Sequence, residues 1–498
     1  MSSESKISWN FLKNVSDVLN SYRIRALLDA KKDVLESGIY NESEFYDILF
    51  KMFDEERLKY AFFDFLKSKK SHGFDSLEQF ANDNSIEITK AYSLLELLRN
   101  ENLVHIQELI DVIEDGDDKP PKRNFKGLSF YISNSDLSKI RSVYEPVKVI
   151  FDSKICSGCG LCAGICPVNC IEINNGFGKI DDDKCIRCGL CYFICPRSFL
   201  PTRVLRMTQD SISEIKDYGN FGPFIKAFCA RTKVKEIAEE CQDGGISSTC
   251  LYHLLDSKRI DFALGATMSK DPWRPEPILI EGKEDIIKSA GTKYVNNPNL
   301  MLLNDERVHG KNLAVVGVPC QMQALLKSQI YNIGFPSLNK IKYRIGIFCM
   351  ESFPYAEGFL KICEKLNVNV IDVKKTDINK GKFFIYTKSG EELNIPIKEI
   401  SDLARIDCEF CHDLTSESAD ISVGSIGAPV GWNTVIIRTE KGKELYDELI
   451  EHDLIESKDI NDVKPGLPLL SKIAGNKRKK CENHVNSKIN SNQRFPRY

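Results

Sequence analysis

No window of this 498-residue chain reaches the roughly 18 consecutive apolar residues that a membrane-spanning helix needs. The opening stretch MSSESKISWNFLKNVSDVL also lacks an uninterrupted apolar segment, so no secretory leader is expected. Excess charge of one sign is missing too. With 68 Lys and Arg against 71 Asp and Glu, the formal net charge is −3, which argues against a polyanion-binding surface over the whole chain. Neither G-x-G-x-x-G nor G-x4-G-K-[ST] occurs, so the chain has no Rossmann fingerprint and no P-loop. Glycine and proline are scarce before residue 112, which leaves that part of the chain to helices. Cysteine is abundant. Eighteen cysteines without a leader imply a reducing cytoplasm in which thiolates hold metals, and 42% hydrophobic content is enough for packed cores.

Eight of those cysteines form a pattern. Cys156, Cys159, Cys162 and Cys166, then Cys185, Cys188, Cys191 and Cys195, spell C-x2-C-x2-C-x3-C-P twice. This is the bacterial ferredoxin run, in which three thiolates hold one [4Fe–4S] cluster and the fourth reaches the other. The first cluster would use Cys156, Cys159, Cys162 and Cys195; the second would use Cys185, Cys188, Cys191 and Cys166. Pro167 and Pro196 then turn the chain away, because proline cannot donate to a continuing helix. Zinc sites usually pair two C-x2-C halves across a longer gap, and so dense a disulfide framework belongs in a small secreted chain. The pattern points to electron transfer.

The organisation around this module is read from periodicity. Residues 1–112 form an N-terminal all-α domain, in which Leu77–Ile106 has the helix, polar turn, helix and short strand of a winged-helix unit. Its second helix offers Lys90 and Arg99 but also Glu96, a poor footprint for nucleic acid, so docking of a protein is the favoured role. Residues 113–145 read as a linker, charged and carrying Pro120–Pro121, of a composition that usually separates independent domains. The 2x[4Fe–4S] ferredoxin domain covers 146–200, with a hairpin turning at Asn175–Gly176. Cys170 lies outside the eight ligands and reads as a packed thiol. Residues 205–470 alternate strands (DFALGATMS, NLAVVGVPC, YRIGIFCM, FFIYTKSG) with helices, which predicts an α/β domain on a mostly parallel or mixed sheet. Residues 475–498 form a basic tail, expected to be disordered or held by a partner.

Within the α/β domain, Cys320 and Cys349 follow strands, and Cys408 and Cys411 form a C-x-x-C pair. Together they could supply the thiolates of a third [4Fe–4S] cluster at the strand ends where open sheets place their sites. They could equally be a redox pair and two idle thiols. Cys229, Cys241, Cys250, Cys363 and Cys481 lack such partners. Gly244–Gly245, followed by Ser247 and Ser248, offers a helix start to an anion or is an ordinary cap. Lys293 and Tyr294 sit on a polar loop, and Gly424, Gly427 and Gly431 on another. Three such loops suggest a nucleotide cofactor.

Six ordered blocks now resemble a known family: Gly244–Ser248 (GGISS), Ala290–Tyr294 (AGTKY), Gly317–Leu325 (GVPCQMQAL), Ile345–Phe353 (IGIFCMESF), Cys408–Asp413 (CEFCHD) and Ala419–Gly427 (ADISVGSIG). They resemble the beta subunit of coenzyme F420 hydrogenase and F420H2 dehydrogenase over roughly residues 150–440. The resemblance implies an oxidoreductase that exchanges hydride with F420 through FAD and passes single electrons along three [4Fe–4S] clusters. It places Gly244, Gly245, Ser247, Ser248, Lys293 and Tyr294 at the FAD and Cys320, Cys349, Cys408 and Cys411 on the third cluster. No catalytic side chain is implied, because hydride exchange needs no general acid. The expected partner is a redox protein or a larger hydrogenase, heterodisulfide reductase or dehydrogenase complex. A ferredoxin-linked reductase of the same family, a non-catalytic electron-transfer subunit and a redox-sensing regulator remain as alternatives.

Overall fold

The computed structural model describes residues 22–69, 73–101, 103–113, 122–132, 147–210, 219–331, 335–491, 493–496 and 498. The helical pattern in ISWNFLKNVSDVL and the Pro120–Pro121 stretch lie outside them.

The head consists of helices Tyr22–Asp29, Lys31–Glu36, Glu42–Ser68, Phe74–Asp83 and Ile88–Asn100. The long helix opens on a capping box: the Asn41 side chain accepts from Glu44 N, and Glu44 reaches back to Asn41 N, each at 3.0 Å. The head is not all-α. Strands β1 (Val104–Ile113) and β2 (Lys122–Ile132) pair antiparallel, Val104 facing Ile132. The linker expected at 113–145 is therefore corrected over 122–132, where the backbone of KRNFKGLSFYI finds a partner strand that composition alone could not supply. The basic residues of helix Ile88–Asn100 are already paired, Lys90 with Glu55 and Arg99 with Glu96.

In the cysteine-rich module, helices Leu161–Gly164 and Leu190–Ile194 are each entered through a left-handed glycine, Gly160 (φ 88°) and Gly189 (φ 73°). Strands β3 (Ile171–Asn174) and β4 (Phe177–Ile180) form the expected hairpin. Asn175 and Gly176 both have positive φ (49° and 77°), as a two-residue turn of matching twist requires.

The α/β part contributes β5 (Lys226–Thr232), β6 (Phe262–Met268), β7 (Pro275–Ile280), β8 (Leu313–Gly317), β9 (Ile341–Ile347), β10 (Val373–Asn379), β11 (Lys382–Thr387), β12 (Glu392–Pro396), β13 (Ile421–Gly424), β14 (Asn433–Ile437) and β15 (Ile455–Asp459). Eight of these form one mixed sheet in the order β15-β5-β14-β13-β9-β8-β6-β7, with β13, β9, β8 and β6 parallel. The run FFIYTKSG instead supplies β11 of a separate antiparallel sheet, β10-β11-β12. The main sheet is covered on both faces. Leu313 and Val315 enter one core and Ala314 another, as the two-residue repeat of a strand dictates.

Two further expectations are revised. The first core is continuous through the head, the cysteine-rich module and the sheet: Tyr40 packs edge-on against Phe335 at 5.5 Å, and Arg23 lies over the Phe193 ring at 4.4 Å. The head is thus packed into the body. The basic stretch from residue 475 is also no loose tail. It continues helix Gly466–Asn490, which buries Gly466, Leu470, Ala474, Lys477 and Cys481. Spacings of four, four, three and four place those residues on one face, a stripe hidden among lysines.

Candidate redox site

The two expected ferredoxin quartets are each brought together. Burial pushes the Cys156 thiol up to about 12 and the Cys159 thiol up to about 11, and Cys195 beside each adds to the rise. Burial likewise raises Cys162, with Cys159 and Cys156 as its nearest charged neighbours. In the second set burial takes Cys188 to about 12, with Cys166 and Cys185 adding. A hollow lined by Cys166, Cys185, Cys188 and Cys191 lies between them. Backbone N–H groups already point at sulfur: Gly158 N at Cys156 Sγ (3.3 Å) and Arg197 N at Cys195 Sγ (3.4 Å). All eighteen cysteines stand as free thiols. Among the described residues no three His, Cys, Asp or Glu gather as the ligands of one metal ion would. A cubane asks for something wider, since each cysteine takes a different iron. Cys170 is closer than a bland core thiol. Its sulfur lies 3.4 Å from Cys166 Sγ.

The third set is assembled by the sheet. β8 and β9 are adjacent and parallel, so Cys320 and Cys349, just past their ends, share one edge. The loop bearing Cys408 and Cys411 is stitched there by Arg405 N to Ser352 O (3.0 Å) and Cys349 N to Leu414 O (2.9 Å). Gln323 Nε2 reaches Asp413 Oδ2 at 3.4 Å from the helix that carries Cys320. Burial pushes Cys349 up to about 11 and raises Cys320 and Cys408, yet all three keep some accessible surface. Lys477 ties the two loops together, donating to Cys349 O and, at 2.8 Å, to Asp413 O.

The cysteine-rich module and the α/β part meet along residues 295–301. Asn296 Nδ2 donates to Ser157 O (2.9 Å) and Leu300 N to Cys159 O (3.3 Å). A Cβ on Gly164 would stand 2.1 Å from Leu300 O, and one on Gly160 2.6 Å from Pro298 O. Those glycines let two backbones touch. The contact brings Cys320 into the electrostatic neighbourhood of Cys159, so the third set adjoins the first.

The expected flavin residues converge only in part. Gly245 (φ 70°) caps helix Ile246–Asp256, and Ser247 and Ser248 lie half-buried in its first turn. Asn433 Oδ1 takes one of the helix-start donors, Ile246 N, at 3.3 Å. A Cβ on Gly244 would fall 2.6 Å from both Ala230 O and Asn433 N, so that glycine answers to its own fold. The AGTKY loop is adjacent, Gly291 lying near Glu240 O. Lys293, however, gives its Nζ to Ser289 O, Ala290 O and Gly291 O at 2.6, 2.7 and 3.1 Å, leaving no donor for a phosphate. Tyr294 accepts from Ile378 N through its hydroxyl at 3.2 Å and packs on Phe383. The turn Gly245–Ser248 fits an anionic cofactor; Lys293 does not.

Sequence reasoning missed the charges around the cysteines. Arg197, Arg405, Asp407, Lys327 and Lys477 are all buried. Adjacency could have flagged Arg197, two residues after Cys195, and Asp407, next to Cys408. Nothing local could have flagged Lys477.

Comparison with known proteins accounts for this architecture. Family models match in order: "4Fe-4S dicluster domain" at 148–211, then the N-terminal and C-terminal models of "Coenzyme F420 hydrogenase/dehydrogenase, beta subunit" at 227–304 and 310–463. The coenzyme F420 hydrogenase subunit beta of Methanothermobacter thermautotrophicus is 39% identical over 53% of this chain and 95% of its own. The F subunit of the F(420)H(2) dehydrogenase of Methanosarcina mazei is 36% identical over 67% of this chain and 92% of its own. A chain of the F420-reducing [NiFe] hydrogenase complex from Methanosarcina barkeri superposes with a TM-score of 0.53 at 37% identity, over 55% of this chain and 95% of that one. With the cysteine module and both halves of the α/β part matched, the chain belongs to the family of coenzyme F420 hydrogenase/dehydrogenase beta subunits.

Proposed function

We propose that this chain is an F420-linked iron–sulfur flavoprotein oxidoreductase working in electron transfer within a larger complex. When bound, FAD would accept or give hydride and the [4Fe–4S] clusters would carry single electrons, which is why both kinds of cofactor belong in one chain. Cys156, Cys159, Cys162 and Cys195 would hold one cluster, Cys185, Cys188, Cys191 and Cys166 a second, and Cys320, Cys349, Cys408 and Cys411 a third. Gly245, Ser247 and Ser248 would present the helix start to the FAD phosphates, with Gly244 and Tyr294 shaping the wall. Lys293 orders the loop beside them. Lys477 would keep the loops of the third set together by holding the Cys349 and Asp413 carbonyls.

The observation that carries this reading is the succession of thiolate sets, the third adjoining the first and the first sharing its module with the second. A regulator that reads DNA finds no such support, since Lys90 and Arg99 are engaged. Among the described residues no helix is long and apolar enough to cross a membrane, so attachment to one would come through a partner. Anaerobically purified protein should contain about twelve irons and one FAD per chain and should reduce a one-electron dye with F420H2. Cys349→Ala should lower the iron by about four. A wild-type count near eight would remove the third cluster, and no turnover of F420H2 by fully loaded protein would favour a relative that uses another donor.

A further inference from the structure

The seam between the first and third cysteine sets is bridged by buried fixed charges. Asp407, the residue before Cys408, accepts from Arg405 Nε at 2.9 Å and lies 3.5 Å from Arg197 Nη2. Arg405 Nη2 continues to the carbonyl of Cys156 (2.6 Å) and to Gly176 O (2.8 Å). Arg197 belongs to the first set's own loop, its N–H directed at Cys195 Sγ. The side chains of Arg197, Asp407 and Arg405 are only 1%, 4% and 2% exposed. One carboxylate thus ties a loop of each set to the other.

The bridge is unbalanced. Two guanidinium groups share one carboxylate, and Arg197 Nε, Arg197 Nη1 and Arg405 Nη1 find no hydrogen-bond partner among the described residues. Leaving buried charged donors unmet is costly, so something anionic is expected on either side of them. Thiolate-ligated clusters are anionic and become more so on reduction. A buried cation therefore stabilises their reduced forms, and net charge and hydrogen bonds to sulfur are the levers a protein has on cluster potential. Arg197 meets the first set at Cys195 Sγ through its own N–H and the third through Asp407, the neighbour of Cys408, so its charge lies between both sets.

We propose that Arg197 is a positioning residue for electron transfer between the first and third clusters: from the buried seam it raises both potentials together and, through Asp407, holds the two loops in register. The transfer it serves moves one electron from one cluster to the other, with no bond made and no proton required. The inference rests on the three-cluster reading.

The test uses the full chain, purified anaerobically, with iron analysis and EPR-monitored redox titration. Arg197→Gln should keep about twelve irons but move two of the three midpoints to more negative values. The expected shift is at least tenfold in each one-electron equilibrium, which is about 59 mV. The midpoint of the Cys166, Cys185, Cys188 and Cys191 cluster should stay in place. Arg197→Lys should restore much of the shift, because it restores the charge. Asp407→Asn, which leaves the cations unbalanced, should move the same two midpoints the opposite way; general loosening of the fold would not produce that reversal, and this variant carries the test if Arg197→Gln fails to fold. Unchanged midpoints in iron-replete variants, or equal shifts in all three clusters, would overturn the inference while leaving the three-cluster reading intact. A wild-type count well below about twelve irons would overturn both.

Discussion

Lys293 carries its ammonium into a half-buried turn, where carbonyls of Ser289, Ala290 and Gly291 receive it. Those acceptors favour the charged form and burial opposes it; burial prevails and lowers the pKa from 10.5 to about 8. The folded chain therefore binds fewer protons than the unfolded chain between those two values. Stability should be flat below pH 8, where the group is charged in both states and the burial penalty is fully present. It should then rise towards pH 10.5 by at most about 1.4 kcal/mol per pH unit. Urea unfolding of flavin-depleted wild type and Lys293→Met at pH 7.5, 9 and 10 measures this. The wild type should gain on the variant as pH rises, and parallel curves would mean that the carbonyls had outweighed burial. Gly245 is constrained by its own turn. A Cβ there would meet Thr232 Cγ2 at 2.9 Å on a backbone already at φ 70°, so Gly245→Val disturbs the turn with or without a cofactor.

Among the elements, helix Gly466–Asn490 departs most from its sequence. Basic, polar composition argued for a disordered or partner-held tail, but its buried stripe runs past the third cysteine set, where Lys477 is 4% exposed. Lys477→Met would strand two buried carbonyls and remove the cation beside Cys411 and Cys349. The expected cost is about 3 kcal/mol. Iron should fall by about four, drawn from the third set. Thermal unfolding and iron analysis decide it: full iron retention at wild-type stability would reduce the helix to packing. The loop 295–301 behaves similarly at smaller size, its backbone lying against glycines of the cysteine motif that the spacing rule alone leaves unexplained.

At the scale of the whole molecule, the head is part of the body. Charged, proline-containing sequence after residue 110 suggested a detachable unit, yet Phe193, Tyr331 and Phe335 share one core with head residues such as Tyr40 and Leu94. A large apolar side chain taken from water contributes roughly 1.5–3 kcal/mol, so uncovering those three would cost on the order of 5–9 kcal/mol. That is comparable with the whole stability of a typical domain, about 5–15 kcal/mol. A chain beginning near Arg141 should therefore aggregate or lose cofactors. Recovery of a soluble monomer with full iron and dye reduction would show the head to be an independent docking unit after all. Tyr40 reaches further, its hydroxyl donating to Ile165 O at 3.5 Å, so the head touches the residue before Cys166.

What the sequence determined by itself was local chemistry at short spacing. Two C-x2-C-x2-C-x3-C-P runs dictate the first three thiolates of each set, because so few intervening residues leave them little choice of neighbour, and the fourth of each comes from the other run. Asn-Gly dictates its turn through the positive φ that both residues tolerate. The strands at β6, β8 and β9 were legible from apolar, β-branched runs. Tertiary structure alone decided what depends on partners far along the chain. It brought Cys320 and Cys349 to one edge by making β8 and β9 adjacent and parallel, paired Lys122–Ile132 with β1, and turned a lysine-rich helix inward. It also set Arg197, Asp407 and Arg405 across a seam between two parts of the chain. A buried charge is tolerable only when distant groups meet it, and distance along the chain carries no record of which groups those will be.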